Sequence, residues 1–287
     1  MNMRKTNRMI QSIIVLSAVA ACLCFLPRET AVGGIQGSGF RLLQLIGRIT
    51  GFGSIYVNGV EYSTAHANVL IDGRLGTESE LQAGQIVALE GTVNDDGRTG
   101  AATHVEFFGD VIGPVTMVDP AELKFEVLGQ TVQISGDTLY GNADLALDLS
   151  VLTVGTYVEV SGFADSHGTL MAARVDPVLA GTTPQVRGHV ERLDAKTNSF
   201  RINGLNVYYN GAAVEGSVKN GADVKVQGRL TGETLLATSV VVVPDDADEG
   251  EHGDIEGIIT SFESGAAFAV NDQPVRTNSG TRFSLHG

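Results

Sequence analysis

The groups in this 287-residue chain that could carry chemistry are its histidines, its acidic side chains and its tyrosines. The six histidines (His66, His104, His167, His189, His252, His286) are scattered. None forms an H-x-H or H-E-x-x-H pair, the spacing that would set two imidazoles on one side of a zinc ion. No G-x-S-x-G turn and no glycine-rich phosphate loop between a strand and a helix occurs. Asp95-Asp96 lies in a glycine-containing turn and Asp245-Asp246 in an acidic run, both places where Asp serves the backbone. Asp245, Asp246, Asp248, Glu249, Glu251 and Asp254 offer the oxygen ligands a hard cation prefers, but lack the D-x-D-x-D-G spacing of a calcium loop. A solvated acidic run is the plainer reading. No metal, no cofactor and no catalytic residue is therefore expected. The tyrosines (Tyr56, Tyr62, Tyr140, Tyr157, Tyr208, Tyr209) are candidates for stacking on sugars. Tyr157 falls on the polar-mixed face of its strand, and of Tyr208 and Tyr209 one must point outward. The competing reading packs all six between neighbouring domains.

What must position these groups is one phrase repeated three times. It reads Leu81-Gln-Ala-Gly84-Gln-Ile-Val87-Ala-Leu89-Glu-Gly91, then Leu152-Thr-Val-Gly155-Thr-Tyr-Val158-Glu-Val160-Ser-Gly162, then Val218-Lys-Asn-Gly221-Ala-Asp-Val224-Lys-Val226-Gln-Gly228. One parity is apolar in each copy and the other is mixed, which predicts a half-buried strand. Each unit opens on G-x-[I/V]-x-x-[F/V/L], at Gly47, Gly113, Gly188 and Gly257, roughly 70 residues apart, a period that marks a repeat architecture. A second strand then ends in a tight turn at Asn58-Gly59, Leu128-Gly129, Asn203-Gly204 or Asn271-Asp272. The positive φ angles of Asn-Gly predict a hairpin and an immediate third strand. After the repeated phrase a further hairpin turns at Asp95-Asp96-Gly97, Asp165-Ser166-His167-Gly168 or Thr231-Gly232. The closing strand carries A-x-x-V (Ala102/Val105, Ala172/Val175, Ala237/Val240).

Five strands in so short a unit predict an all-β chain of tandem, small, five-stranded antiparallel OB-like β-barrels behind an N-terminal signal or anchor segment. The helix that such barrels often hold between strands three and four is reduced here to a loop. The recurring glycines are read as bulges and tight bends that need approach no ligand. A unit this small buries only ~60% of its unfolded-chain surface, so neighbouring barrels should pack together. The expected organisation is a leader at 1–31, a glycine-rich tether at 32–43 and barrels at 44–109, 110–180 and 184–243. An acidic linker follows at 244–254, then an incomplete fourth repeat at 255–287. That last unit has three strands, and is expected either to borrow strands from a partner in self-association or to stay partly without order.

Arg4, Lys5 and Arg8 precede an apolar run from Ile13 to Leu26, the length of a signal-peptide core and short of the ~20 residues of a bilayer span. Export to the periplasm or cell envelope follows. Val19-Ala-Ala-Cys22 resembles a bacterial lipobox, which makes Cys22 the candidate for lipidation. The apolar run continues through Leu23, Phe25 and Leu26, so lipidation, ordinary cleavage and an uncleaved anchor all stay open. The membrane is expected to be touched only through this segment. With Cys22 and Cys24 both in it, no disulfide can form downstream. A net charge of −14 repels phosphate backbones and argues against nucleic acid as a partner.

The phrases Gly47-Arg-Ile-Thr-Gly-Phe-Gly-Ser-Ile-Tyr-Val-Asn-Gly-Val-Glu-Tyr62, Val127-Leu-Gly-Gln-Thr-Val132 and Tyr157-Val-Glu-Val-Ser-Gly-Phe163 resemble bacterial envelope proteins built from domain of unknown function 5666. The resemblance runs from Ile46 to about Val243 and resumes in the last segment. It implies a leader, a tether, tandem β domains and acidic linkers, and it brings no activity or catalytic residue with it. The chain departs from the pattern in lacking a glycine run directly after Cys22 and in its early stop, which suggests a truncated form. The function expected is that of an exported, non-catalytic envelope protein whose barrel modules bind or assemble with an unknown envelope ligand or protein. The rival readings are an envelope glycan- or peptide-binding protein and an enzyme whose site is assembled between repeats.

Overall fold

The computed structural model describes residues 41–141, 149, 152–165, 167–243, 252–255, 259–270 and 273–283. The leader with Cys22, most of the tether, most of the acidic linker and the Asn271-Asp272 turn lie outside the described residues. Everything described is strand apart from turns and one 3-10 turn at Glu78–Glu80, and belongs to a single unit, Ser38–Gly287.

The first barrel is built from Arg41–Gly51, Ile55–Val57, Val60–Ser63, Ile86–Val93 and Thr99–Phe107. The first strand pairs antiparallel with both the second and the fourth, and the fourth pairs antiparallel with the fifth. An odd number of strands cannot alternate direction all the way round a closed ring. One neighbouring pair must run parallel, and it is the third with the fifth, with Glu61 opposite Thr99 and Ser63 opposite Ala101. The second barrel closes in the same way through Val132 opposite Leu170, and the third through Val207 opposite Leu235. The tight turns are as their residues demand: Asn58 and Gly59 sit at φ 52° and 78°. Leu128 takes the same left-handed conformation at φ 49° despite its branched side chain, which is buried against Gly113.

The apolar parity of the repeated phrase points inward in every copy. Val87, Leu89, Val158, Val160, Val224 and Val226 are all essentially inaccessible, as are Val105, Val175 and Val240 on the closing strands. The two glycines of the phrase do different jobs. Gly84, Gly155 and Gly221 take φ of +92°, +92° and +81° in the turn that enters the strand. Gly91, Gly162 and Gly228 each sit at a β-bulge, where a Cβ would lie 2.2–2.3 Å from a carbonyl oxygen of the facing strand.

Between strands three and four the loop is not bare. In the first barrel it folds into Asn68–Ile71 and Arg74–Gly76, and Asn68–Ile71 runs parallel to the closing strand from Asn68 opposite His104 to Ile71 opposite Phe107. Leu139–Tyr140 and Ala213–Glu215 do the same more briefly in the other two. The alternation of buried Val69 and Ile71 drives this pairing.

The second and third barrels are joined as one continuous sheet. Val111 pairs with Val186, and each stands two residues before the leading glycine of its own repeat. The hairpin glycines of the same two repeats also meet, Gly204 donating its N–H to the carbonyl of Gly129 at 3.1 Å. Equivalent positions contact equivalent positions, so the pair has approximate two-fold symmetry, and the two barrels share one hydrophobic core. The first barrel keeps a core of its own.

His252–Ile255, expected within the linker and the start of the fourth repeat, adds a parallel strand to the first barrel, from Leu43 opposite His252 to Ile46 opposite Ile255. Addition to a sheet edge needs only main-chain groups, so it leaves no periodic apolar signal. The fourth repeat forms a three-stranded meander, Ile259–Ser264, Ala267–Val270 and Gln273–Arg276. Ile259 occupies the place of buried Ile49, Val115 and Val190 but is 57% exposed.

Candidate functional site

Ala88 apart, which is exposed, the mixed parity of the repeated phrase faces neither the barrel interior nor open water. Ile86, Glu159, Asp223 and Lys225 are all partly buried, at the place where the three barrels meet. Here the first barrel supplies Asp72, Glu106 and Phe108, the second Asp110 and Glu159, and the third Gln185, Arg187, Asp223 and Lys225. Lys225 places Nζ 2.6 Å from Glu106 Oε1 and 5.1 Å from the centre of the Phe108 ring. Arg187 holds Asp223 through two hydrogen bonds, at 3.0 and 2.8 Å. Gln185 is buried and donates to Asp72 Oδ1 at 2.7 Å and to the Gly109 carbonyl at 2.9 Å, while Gly109 donates its own N–H to the same Asp72 oxygen at 3.0 Å.

A second contact fixes the first barrel to the second. Arg174 is buried; its Nε and Nη2 each lie 2.6 Å from the Asp176 carboxylate, and Nη1 donates to the Ala83 carbonyl at 2.9 Å. Nη2 also donates to Gln82 Oε1 and to the Gly141 carbonyl. Ile86 donates its N–H to Ser161 Oγ at 2.9 Å, one residue before the bulge glycine of the second barrel.

Around this junction opens a cleft of about 750 Å³, lined among others by Glu106, Asp110, His167, Arg187, Asp223 and Lys225. Two of the carboxyls at the junction are strongly perturbed. Burial pushes Asp110 up to about 6; Arg187, the Gly162 N–H and Lys225 pull against this, and Asp223 adds to it. Burial also raises Glu159 to about 8, with Asp72, Asp176 and Asp110 repelling and Arg174 opposing them. Glu159 Oε1 is buried without a hydrogen-bond partner. Burial would lower Arg187, but Asp223, through charge and hydrogen bond, outweighs it with help from Asp110 and Glu106 and keeps the guanidinium charged. Among the described residues no three His, Cys, Asp or Glu side chains gather to hold a metal ion.

Sequence reasoning places some of these residues and misses others. Asp96 serves its turn as expected, accepting the N–H of Arg98 at 2.8 Å and of Thr99 at 2.9 Å, contacts that hold its carboxyl below the usual range. Tyr62 is wholly inside the first barrel, and Tyr209 turns inward against Phe200 at 5.5 Å between ring centres. Tyr157 is half-buried, and Tyr208 is the one of the adjacent pair that faces outward. His167 and His189 both reach the cleft, whereas His66 and His104 do not line it. The acidic run at 245–251 lies outside the described residues.

Tyr208 has company that was not foreseen. On the outer face of the third barrel, Tyr208 lies opposite Ser199 and Leu236, and Asn206 lies opposite Arg201 and Thr234. With Arg192 they line a shallow groove of about 470 Å³. Arg192 holds φ at 51°, in the left-handed region, beside the bulge that splits the first strand of this barrel. Arg201 Nε is buried there with no hydrogen-bond partner. The signal was parity alone, since Arg201, Asn206 and Tyr208 all alternate against the inward Phe200, Ile202, Leu205 and Val207.

The family model described as "Domain of unknown function (DUF5666)" matches four segments in tandem, 45–106, 112–176, 187–241 and 256–287, well over half of the chain. The chain belongs to this family. The DUF5666 segments coincide with the three closed barrels and the meander, so the family's unit is the five-stranded barrel. No curated protein matches the chain. Among solved structures, a multidomain protein with nucleic acid binding domains from Streptococcus pneumoniae is 12% identical over 71% of this chain and 74% of that chain. Its TM-score is 0.15, which carries no argument.

Proposed function

We propose that the chain is an exported, non-catalytic protein of the bacterial cell envelope whose DUF5666 barrels serve as binding and assembly modules. The observation that carries this reading is the way the charged groups between barrels are used. Arg187 is engaged by Asp223 and Arg174 by Asp176 within their own barrels, while Lys225 reaches Glu106 of the first barrel and Arg174 donates to Ala83 and Gln82 of the first. The cations that converge there are thus engaged, and two of them tie one barrel to another. A catalytic base must be open to a substrate, and Glu159, whose buried Oε1 has no hydrogen-bond partner, does not line the cleft. The repeated glycines of the three barrels support the same reading, because each is accounted for by a turn, a bulge or a close side chain.

Export rests on Arg4, Lys5 and Arg8 before the apolar run, and the anchor on Cys22. The test is cell fractionation of the full chain beside Cys22→Ser, with a fatty-acid analogue to label the thiol. The expected result is an envelope protein that loses both label and membrane association in the variant. Retention in the cytoplasm would overturn the export reading. Unchanged membrane association without label would leave the leader itself as the anchor.

A further inference from the structure

We propose that the outer groove of the third barrel is a binding site for a short acidic saccharide, one whose sugar rings carry carboxylates. The proposal deepens the binding role put forward above and rests on it.

Two independent features point to an anion. The first is Arg201, whose Nε–H lies buried in the groove floor with nothing to donate to. A buried unsatisfied donor is costly; Nη2 already donates to the Gly204 carbonyl at 3.4 Å, so Nε is the donor that a ligand carboxylate would satisfy. The second is the gathering of Arg192 and Arg201 on one small surface of a chain with 33 acidic against 19 basic residues. Asp194 stands outside the groove lining, its carboxylate accepting the N–H groups of Lys196 and Thr197 in the adjoining turn. Glu191, opposite Arg201 in register, is exposed and lines the junction cleft rather than this groove.

The other lining groups point to a sugar as the carrier of that anion. Tyr208 is 38% exposed on the outer sheet face, a platform for the apolar face of a pyranose. Ser199, Asn206 and Thr234 surround it with short donors and acceptors. The chain's overall negative charge repels a polyanion at long range, so the fitting ligand carries few charges that are met at close quarters.

The repeats provide an internal control. At the places of Arg201, Asn206 and Tyr208 the second barrel has Glu126, Thr131 and Gln133, and the first has Tyr56, Glu61 and Ser63. The inward residues at the same strands are apolar in the third barrel and nearly so in the other two, where buried Gln130 and the Tyr62 hydroxyl are the polar groups. The inner face varies little while this outer surface differs in every copy, and among the three only the third joins Arg and Tyr at these places.

Calorimetric titration of the full chain with a galacturonic acid trimer tests the assignment, beside its neutral methyl ester and triglutamate. Binding of the acidic trimer is expected to be saturable and at least tenfold tighter than that of either comparison ligand. Arg201→Gln, Arg192→Gln and Tyr208→Ala should each weaken it about tenfold or more, with melting temperatures checked in parallel. Arg192 is exposed, so its variant reads the site even if Arg201→Gln softens the barrel. No saturable binding, equal binding of the ester or of triglutamate, or indifference to both Arg192→Gln and Tyr208→Ala would each overturn the proposal. Mass spectrometry of the trimer after incubation separates the two readings. Cleavage would sink the non-catalytic function and leave the groove, whereas absent binding would sink the groove and leave the scaffold.

Discussion

Lys225 of the third barrel and Glu106 of the first meet at 2.6 Å, a salt bridge between barrels that do not follow each other in sequence. Their side chains are only 16% and 28% exposed, and the Phe108 ring shields one side of the ammonium. A double-mutant cycle with Lys225→Met and Glu106→Gln should return a coupling of about 1 kcal/mol. Lys225→Met alone should cost more than that, since it strands a half-buried carboxylate. Denaturant unfolding measures both, and additive effects would show that the pair holds nothing.

The inward parity makes a harsher prediction. Val158 and Val224 are fully buried, so Val158→Asp or Val224→Asp places an unpaired charge in a barrel core. Either variant should lose its cooperative melt and become sensitive to limited proteolysis within its own repeat. A native-like melt would contradict the register described here.

The two glycines of the repeated phrase should separate in a pair of alanine variants. Gly155 has φ +92° and open space around it, so Gly155→Ala costs the left-handed strain of roughly 1 kcal/mol. Gly162→Ala sets a methyl 2.2 Å from the Met171 carbonyl, on the rigid backbone of the facing strand. It should cost about 3 kcal/mol, at the upper end for an overpacked site. Unfolding midpoints rank the two, and the reverse order would mean that the bulge is soft.

Stability should fall as the medium becomes alkaline. Glu159 and Asp110 have folded values raised to about 8 and about 6, so in this range the folded chain binds more protons than the unfolded one. Stability is full below the ordinary carboxylate values near 4 and declines as pH climbs through 6 and 8. The charges facing Glu159 are Asp72, Asp110, Asp176 and Arg174, and those facing Asp110 are Arg187, Asp223 and Lys225. Glu159→Gln keeps the shape and removes the titration, so its melting temperature should vary less between pH 5 and 9 than that of the parent chain.

What was legible in the sequence is what the backbone repeats. Period-two apolarity placed Val87, Val158 and Val224 inside, and Asn58-Gly59 announced its turn, because both are set by neighbours along the chain. The junction was not legible. Arg174 reaches Ala83 and Lys225 reaches Glu106 across long stretches of sequence, and neither contact has a period to detect. The polar parity of the repeated phrase looked like solvent-facing surface, yet it carries Glu159, Asp223 and Lys225 into the meeting of three domains. Tyr62 was misplaced among the candidates for a sugar platform for a related reason: its alternation fits either face until the ring is closed. The groove of the third barrel lay between these cases, with Tyr208 foreseen and its two guanidiniums not.

The Val111–Val186 pairing carries one more implication. An edge that binds its own likeness requires no second surface to be evolved for it, and one recognition element serves both sides. Carried on a single polypeptide, the two halves face each other at a local concentration fixed by the connecting residues, so dilution cannot part them.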